Sequence, residues 1–161
     1  MNYPPYYIIK GKLAQQDLTV ILNSIIENRC YIEKIRDTKN EKSRKIELAL
    51  KPDLEKFGFI HSVTNKKYPL FKEGSMFEVD FYNPDRGIAM EIERSNLYTK
   101  VWLALIKMLE SDKIRHGLIL VPTRRTVRNS TEKSFDLTYK RLRDNTHNIL
   151  QHLESLTVLG Y

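Results

Sequence analysis

The sequence predicts a single-domain α/β protein, in which a β-sheet packs against α-helices. The chain of 161 residues has the length of one domain. Residues 77–82 and 88–93 alternate apolar and polar side chains, which is the period of half-buried strands. Stripes of apolar residues at helical spacing precede and follow this pair. We therefore assign residues 1–161 to one domain.

The first third of the chain is predicted to be mainly helical, after a short strand over residues 7–10. The apolar residues between Asp17 and Arg29 fall on one side of a helix. Residues 33–45 contain six bases and three acids, which is typical of a flexible loop or an exposed helix end. A second helical stripe runs from Ile46 to Phe57 and ends at the following glycine. Pro52 is expected to kink or split this helix.

Residues 77–93 are predicted to form a β-hairpin, which is the best-defined unit of the sequence. Its strands flank Asn83–Gly87, a segment rich in turn residues. Residues 97–112 follow as a helix that is apolar nearly all round, so we expect it to be buried on two sides. Residues 116–121 are a continuous apolar run, which is typical of a central strand.

The last quarter of the chain is predicted to contain a basic loop and a long helix. The loop carries Arg124, Arg125 and Arg128. The helix begins at about Thr131, and apolar residues repeat at four-three spacing from Phe135 to Leu156. Such a face packs either on the sheet or on a partner subunit, and we favour the sheet.

Composition excludes several classes of protein. No apolar run approaches about 18 residues, so we expect no membrane span. The N-terminus lacks the pattern of a signal peptide. Cys30 is the single cysteine, and the four histidines lack the spacing of a zinc site, which argues against disulfides and zinc. We therefore expect a soluble, cytoplasmic protein.

The distribution of charge indicates the class of partner. The net charge is +7, which suits a polyanion such as nucleic acid. Between Glu73 and Glu93, six acids and one base give a local charge of −5, so the other residues carry +12. A metal-dependent nuclease needs this combination, because cations bind phosphates and carboxylates bind the metal.

The acidic segment centres on the predicted hairpin. If the apolar faces of both strands lie on one side, Asp80, Glu91 and Glu93 share the other, with Glu78 at its edge. Carboxylates that are adjacent across strands repel each other. A bound divalent cation removes this repulsion, and Mg²⁺ prefers oxygen ligands. A solvated acidic face on an edge hairpin explains the alternation equally well.

The order of these parts resembles the PD-(D/E)xK nuclease superfamily, which has the restriction-endonuclease-like fold. A helix precedes a strand with Asp80, a turn, a strand with Glu91-Ile92-Glu93, a buried helix and an apolar strand. Most of the superfamily has Lys at the position of Glu93, and the acidic variant resembles the branch that contains BamHI, BglII and BstYI. The resemblance covers residues 77–122 well and the ends of the chain poorly.

The resemblance implies a mixed β-sheet flanked by α-helices and phosphodiester hydrolysis that depends on Mg²⁺, with Mn²⁺ as a substitute. Asp80 and Glu91 would hold the cation, together with the carbonyl of Ile92. Glu93 would orient or deprotonate the attacking water, or help to bind a second metal. Glu47 resembles a helix Glu that some relatives add to the site, although a solvent-exposed position is the simpler interpretation.

Contacts with double-stranded DNA are expected from polar and basic side chains outside the hairpin. Arg suits readout of guanine, and Lys mostly contacts phosphates. The candidates are Lys39, Lys42, Arg44, Lys45, Ser95, Asn96, Arg124, Arg125 and Arg128. A solvated surface position is the alternative for each of them.

These patterns favour a type II restriction endonuclease that cuts double-stranded DNA at a specific short site. A repair or junction-resolving nuclease of the same fold and a DNA-binding protein without catalysis are the alternatives. We also expect a homodimer with helix 97–112 at or beneath its interface, because Trp102 and Ile106 lie outside the main apolar stripe. The competing explanation is that the C-terminal helix covers both residues within one chain.

Overall fold

A six-stranded mixed β-sheet forms the centre of the protein, and the computed structural model describes residues 3–161. Its strands are β1 Tyr6–Lys10, β2 Ile60–Val63, β3 Val79–Asn83, β4 Ile88–Ile92, β5 His116–Val121 and β8 Ser155–Gly160. A separate two-stranded sheet contains β6 Arg125–Val127 and β7 Ser130–Glu132. The helices are α1 Gln15–Glu27, α2 Arg29–Asp37, α3 Ser43–Lys56, α4 Leu97–Glu110 and α5 Ser134–Asn145.

The strand order in the main sheet is β1-β8-β5-β4-β3-β2. β5 is parallel to both of its neighbours, β4 and β8. The pairs β1–β8, β3–β4 and β2–β3 are antiparallel. Apolar residues of α4 and α5 pack on one face of the sheet, and those of α1, α2 and α3 pack on the other. The predicted mixed sheet with flanking helices is therefore confirmed.

The segment between the hairpin and the central strand forms the predicted helix and strand, but the expectation that the helix is buried on two sides is wrong, because Leu103 and Ile106 are exposed. The buried residues of α4 are the expected stripe: Leu97, Val101, Ala104, Leu105 and Met108. β5 lies between β4 and β8, and five of its six residues are buried. α4 connects two parallel neighbours, which requires a crossover helix on one face of the sheet. None of the helices over residues 3–161 is long and apolar enough to cross a membrane.

The predicted C-terminal helix is wrong beyond Asn145. Leu156 lies instead in β8, whose six residues are all buried between β1 and β5. Burial follows the four-three spacing only as far as the end of α5. Beyond it, Ile149 of the predicted stripe is 48% exposed, whereas Leu150, which is outside the stripe, is buried together with Leu153. A strand that is covered on both faces is apolar without alternation, so its sequence does not distinguish it from a helix.

The charged segment 33–45 contains both of the predicted alternatives, a helix end and a loop. Its first part is the second half of α2, which buries Ile32 and Ile35 beneath a charged outer surface. Only these two of its nine residues are buried, which is too weak a period for recognition of the helix in the sequence. The loop is therefore confined to residues 38–42.

Pro52 neither splits nor ends α3, which continues to Lys56. The proline removes the hydrogen bond to the carbonyl of Leu48, which lies on the exposed side of the helix. Water can satisfy that carbonyl, so the helix tolerates the proline. The predicted C-cap is confirmed, because Gly58 has φ +87° and the Phe59 N–H donates to the Leu54 carbonyl.

Candidate active site

Asp80 lies where β3 and β4 separate. The two strands pair from Asn83–Ile88 to Phe81–Met90. Beyond that point, the Ile92 N–H donates to Oδ2 of Asp80 at 2.7 Å. The side chain of Asp80 thus takes the place of a strand neighbour, which fixes its carboxylate against β4 near Glu91 and Glu93.

Glu91 and Glu93 face α4 and are buried there. Glu91 is 1% exposed and Glu93 is 8% exposed. Helix α4 supplies a lysine to each of them: Nζ of Lys107 lies 3.0 Å from Oε1 of Glu91, and Nζ of Lys100 lies 3.6 Å from Oε2 of Glu93. The interpretation of the hairpin as a solvated acidic edge is therefore wrong, because the sheet is covered on both faces.

Burial and mutual repulsion raise the pKa values of all three carboxyls. Desolvation, with a contribution from Glu47, raises the pKa of Asp80 to about 7. Desolvation raises the pKa of Glu93 to about 7, although Lys100 opposes this shift. Glu91 is the most deeply buried, and desolvation together with Asp80 holds its pKa well above the ordinary value. A compensating cation would therefore favour the ionised forms of the cluster.

Glu47 is buried beside this cluster, so its interpretation as a solvent-exposed helix residue is wrong. It is 5% exposed, and its Oε2 lies 2.9 Å from Nη1 of Arg44 and 3.1 Å from Nε2 of His61. Desolvation raises the pKa of Glu47 and lowers that of His61 to about 4, so the imidazole is neutral at neutral pH. His61 is absent from the sequence-based candidates, because nothing in its neighbourhood in the chain indicates the pairing with Glu47.

A cleft of about 780 Å³ opens beyond the ends of β4 and β5, and the residues that line it do not include Asp80, Glu91 or Glu93. Ser95, two residues after Glu93, forms part of its wall. Its basic residues come from α2, from the loop after α2, from the segment between β4 and α4, and from the β6–β7 hairpin with the residue before it: Arg36, Lys39, Arg94, Arg124, Arg125 and Arg128. The basic loop predicted after Pro122 is confirmed for Arg124, whereas Arg125 lies in β6 and Arg128 lies in the turn of this small hairpin.

The sequence-based DNA contacts divide into two groups in the structure. Five of the nine candidates line the cleft: Lys39, Ser95, Arg124, Arg125 and Arg128. The other four lie elsewhere: Lys42, Arg44, Lys45 and Asn96. Arg44 pairs with Glu47 and Lys45 pairs with Glu41, so both act within the protein.

Arg36 and Arg94 line the cleft but were not among the candidates. Arg94 donates to the carbonyls of Ile35 and Glu41 at 3.1 and 2.8 Å, and also to those of Arg36 and Thr38. It therefore fixes the chain after α2 as one wall of the cleft. One feature of the sequence could have identified Arg94, because it lies directly between two candidates, the catalytic Glu93 and the DNA-binding Ser95.

Comparison with known proteins identifies the family. A family model described as "Putative halobacteria restriction endonuclease" matches residues 2–161. The chain belongs to this family. It is also similar to the crystal structure of the restriction endonuclease BglII complexed with a DNA 16-mer, with a TM-score of 0.52 and 12% identity over 92% of this chain and 70% of the BglII chain. No curated protein shows significant similarity.

The likeness to BglII shows the fold, so the predicted restriction-endonuclease-like architecture is confirmed. The carboxylates of β3 and β4, together with Glu93 directly after β4, are the oxygen donors that the hairpin of this chain offers to a metal. Over residues 3–161, no three Asp, Glu, His or Cys side chains converge closely enough to hold an ion by themselves. Mg²⁺ is usually held by one or two carboxylates, waters and substrate phosphates, so the donor set of Asp80 and Glu91 fits it.

Proposed function

We propose that the protein is a Mg²⁺-dependent type II restriction endonuclease that cuts double-stranded DNA at a specific short site. The observation that carries this proposal is the carboxylate group of the hairpin, in which Glu91 and Glu93 are buried, followed directly in the chain by Arg94 and Ser95 of the basic cleft. Buried carboxylates with raised pKa values are expensive in a structure, and such groups concentrate at functional sites. Membership of a restriction endonuclease family and the fold of BglII support the same function.

Asp80 and Glu91 would hold the metal, with the Ile92 carbonyl as a further ligand and Mn²⁺ as a substitute. The chemistry that such an ion would supply at these residues is polarisation of the scissile phosphate and a lowered pKa of a water molecule. Asp80 is oriented for this role by the Ile92 N–H at 2.7 Å. Glu93, whose pKa is raised to about 7, is suited to accept a proton from the attacking water near neutral pH.

The basic cleft would bind the DNA backbone. Arg124 and Arg128 are exposed there, the first directly before β6 and the second in the turn between β6 and β7. Lys39 extends from the opposite wall, which Arg94 holds in place. Phosphate contacts of this kind fix the position of the duplex, and arginine can additionally read guanine.

A homodimer remains part of this proposal, because one active site cuts one strand and a two-fold symmetric pair cuts both. The competing intramolecular explanation holds for Trp102, which is partly buried against the core. It does not hold for Ile106, which is 51% exposed, or for Leu103, which is 41% exposed. The exposed side of α4 therefore supports an interface there.

The proposed function is tested by incubating plasmid DNA with the protein and Mg²⁺. We expect discrete bands from the wild type and no cutting in EDTA. Glu91→Gln keeps the volume and an acceptor for Lys107 but loses the charge, so we expect cleavage to fall by more than about 100-fold. The exposed Glu73 provides the matched control, and Glu73→Gln should cut like the wild type.

The pattern of products distinguishes the alternatives. A smear instead of bands would indicate a nuclease without a specific site. Binding of duplex DNA without cutting in either Mg²⁺ or Mn²⁺ would indicate a DNA-binding relative without catalysis. Equal cutting by Glu91→Gln and the wild type would show that the carboxylate cluster is not the active site.

A further inference from the structure

Two lysines of α4 lie opposite two carboxylates of β4. Lys100 and Lys107 are seven residues apart, so they project from the same side of the helix. Lys107 contacts Glu91 at 3.0 Å, and Lys100 approaches Glu93 at 3.6 Å. The side chain of Lys107 is 14% exposed, whereas that of Lys100 is 42% exposed. Lys107 is therefore the more enclosed of the two ammonium groups.

Lys107 interacts with more than its direct partner. Its charge favours the ionised forms of Asp80 and Glu93 as well as that of Glu91. Nζ of Lys107 also donates a hydrogen bond to Glu91, so the ammonium occupies an oxygen on the carboxylate proposed to bind the metal. A divalent cation bound to the same carboxylate would lie close to this ammonium, so the two positive charges would repel each other.

We infer that Lys107 is the counter-ion of the active site in the metal-free protein, and that its charge opposes the binding of a divalent cation at Glu91. This inference rests on the proposed function, because Glu91 is there a metal ligand. Lys107 is thus a positioning residue: it stabilises the cluster when no metal is present and lowers the affinity for metal. Lys100 has a smaller effect, because its charge is more exposed and lies farther from its partner.

The test measures binding of Mn²⁺ and of Mg²⁺ to the full chain by calorimetry, without DNA. Lys107→Met removes the charge and keeps most of the apolar stem, so we expect Mn²⁺ affinity to rise about tenfold or more, which corresponds to about 1.4 kcal/mol. Lys107→Arg keeps the charge and should bind metal like the wild type. Lys100→Met is the matched control and should change the affinity by less than about threefold.

A merely structural role for Lys107 predicts the opposite result. If Lys107→Met has native circular dichroism but binds Mn²⁺ no more tightly than the wild type, the inference is wrong. If this variant unfolds without metal, recovery of the native spectrum on addition of Mn²⁺ supports the inference, and failure to recover overturns it. If neither the wild type nor Lys107→Met binds either metal, the inference is also overturned.

The outcomes for the inference and for the proposed function are separable. Cleavage by the wild type with loss of cutting in Glu91→Gln, but no gain of affinity in Lys107→Met, would refute the inference alone. A gain of metal affinity in Lys107→Met with no cutting of DNA by the wild type would refute the proposed function alone.

Discussion

Asp80→Asn should make the metal-free protein less sensitive to alkaline pH. Desolvation and the neighbouring Glu47 raise the pKa of Asp80 from 3.8 to about 7 in the folded protein. An acid whose pKa is higher in the folded state binds more protons when folded, so its contribution to stability is present at low pH. That contribution is lost as the pH rises from the unfolded value toward about 7. Asn carries no charge and can still accept the hydrogen bond from Ile92 N–H.

The magnitude follows from the two pKa values. At about pH 5 the folded carboxyl is still protonated, whereas the unfolded one is largely ionised. Between about pH 5 and pH 8, the wild type should therefore lose about 2.6 kcal/mol of unfolding free energy through this group. Urea denaturation in EDTA at the two pH values measures this loss in the wild type and in Asp80→Asn. The exposed Asp85 supplies the control, since Asp85→Asn should follow the wild type.

Two results would refute this reasoning. Parallel stability curves for the wild type and Asp80→Asn would show that Asp80 is not desolvated in the folded protein. A wild type whose stability rises between about pH 5 and pH 8 more than that of Asp80→Asn would reverse the predicted sign. Addition of Mg²⁺ at about pH 8 should restore stability in the wild type but not in the variant, because the cation compensates the ionised cluster.

Two further predictions concern the cleft wall and the dimer. Arg94→Ala should lower the unfolding free energy by about 2 kcal/mol or more, because the guanidinium donates to four carbonyls around the loop after α2. Urea denaturation measures this loss, and recovery of full stability by Arg94→Lys would contradict the role of the planar group. Ile106→Glu should leave the stability of the folded chain within about 0.5 kcal/mol, because the side chain is 51% exposed, while it dissociates the dimer. Sedimentation velocity at micromolar concentration decides this point, and a wild type that sediments as a monomer would refute the dimer.

The carboxylate hairpin, α4 and β5 could be predicted from the sequence for a common reason. Each has a period that depends on neighbours in the chain: alternation around Asp80 and Glu91, a helical stripe in α4, and an unbroken apolar run in β5. The sequence could predict that Asp80 lies near Glu91, because a short hairpin with a recognisable turn joins the strands that carry them. The family resemblance then rested on the order of these local parts, and the fold of the whole chain confirmed it.

The tertiary structure alone decided which of these residues are buried and which groups they meet. Glu47 reaches His61 and Lys107 reaches Glu91 only because α3 and α4 pack beside the sheet, and neither contact leaves a periodic pattern in the sequence. The sequence of β8 is equally compatible with a continued helix, and only its pairing with β1 and β5 makes it a strand. The sequence by itself therefore determined the local elements and the identity of the acidic groups. Packing over long distances in the chain determined their burial, their charge partners and the basic cleft, because these depend on residues that are remote in sequence.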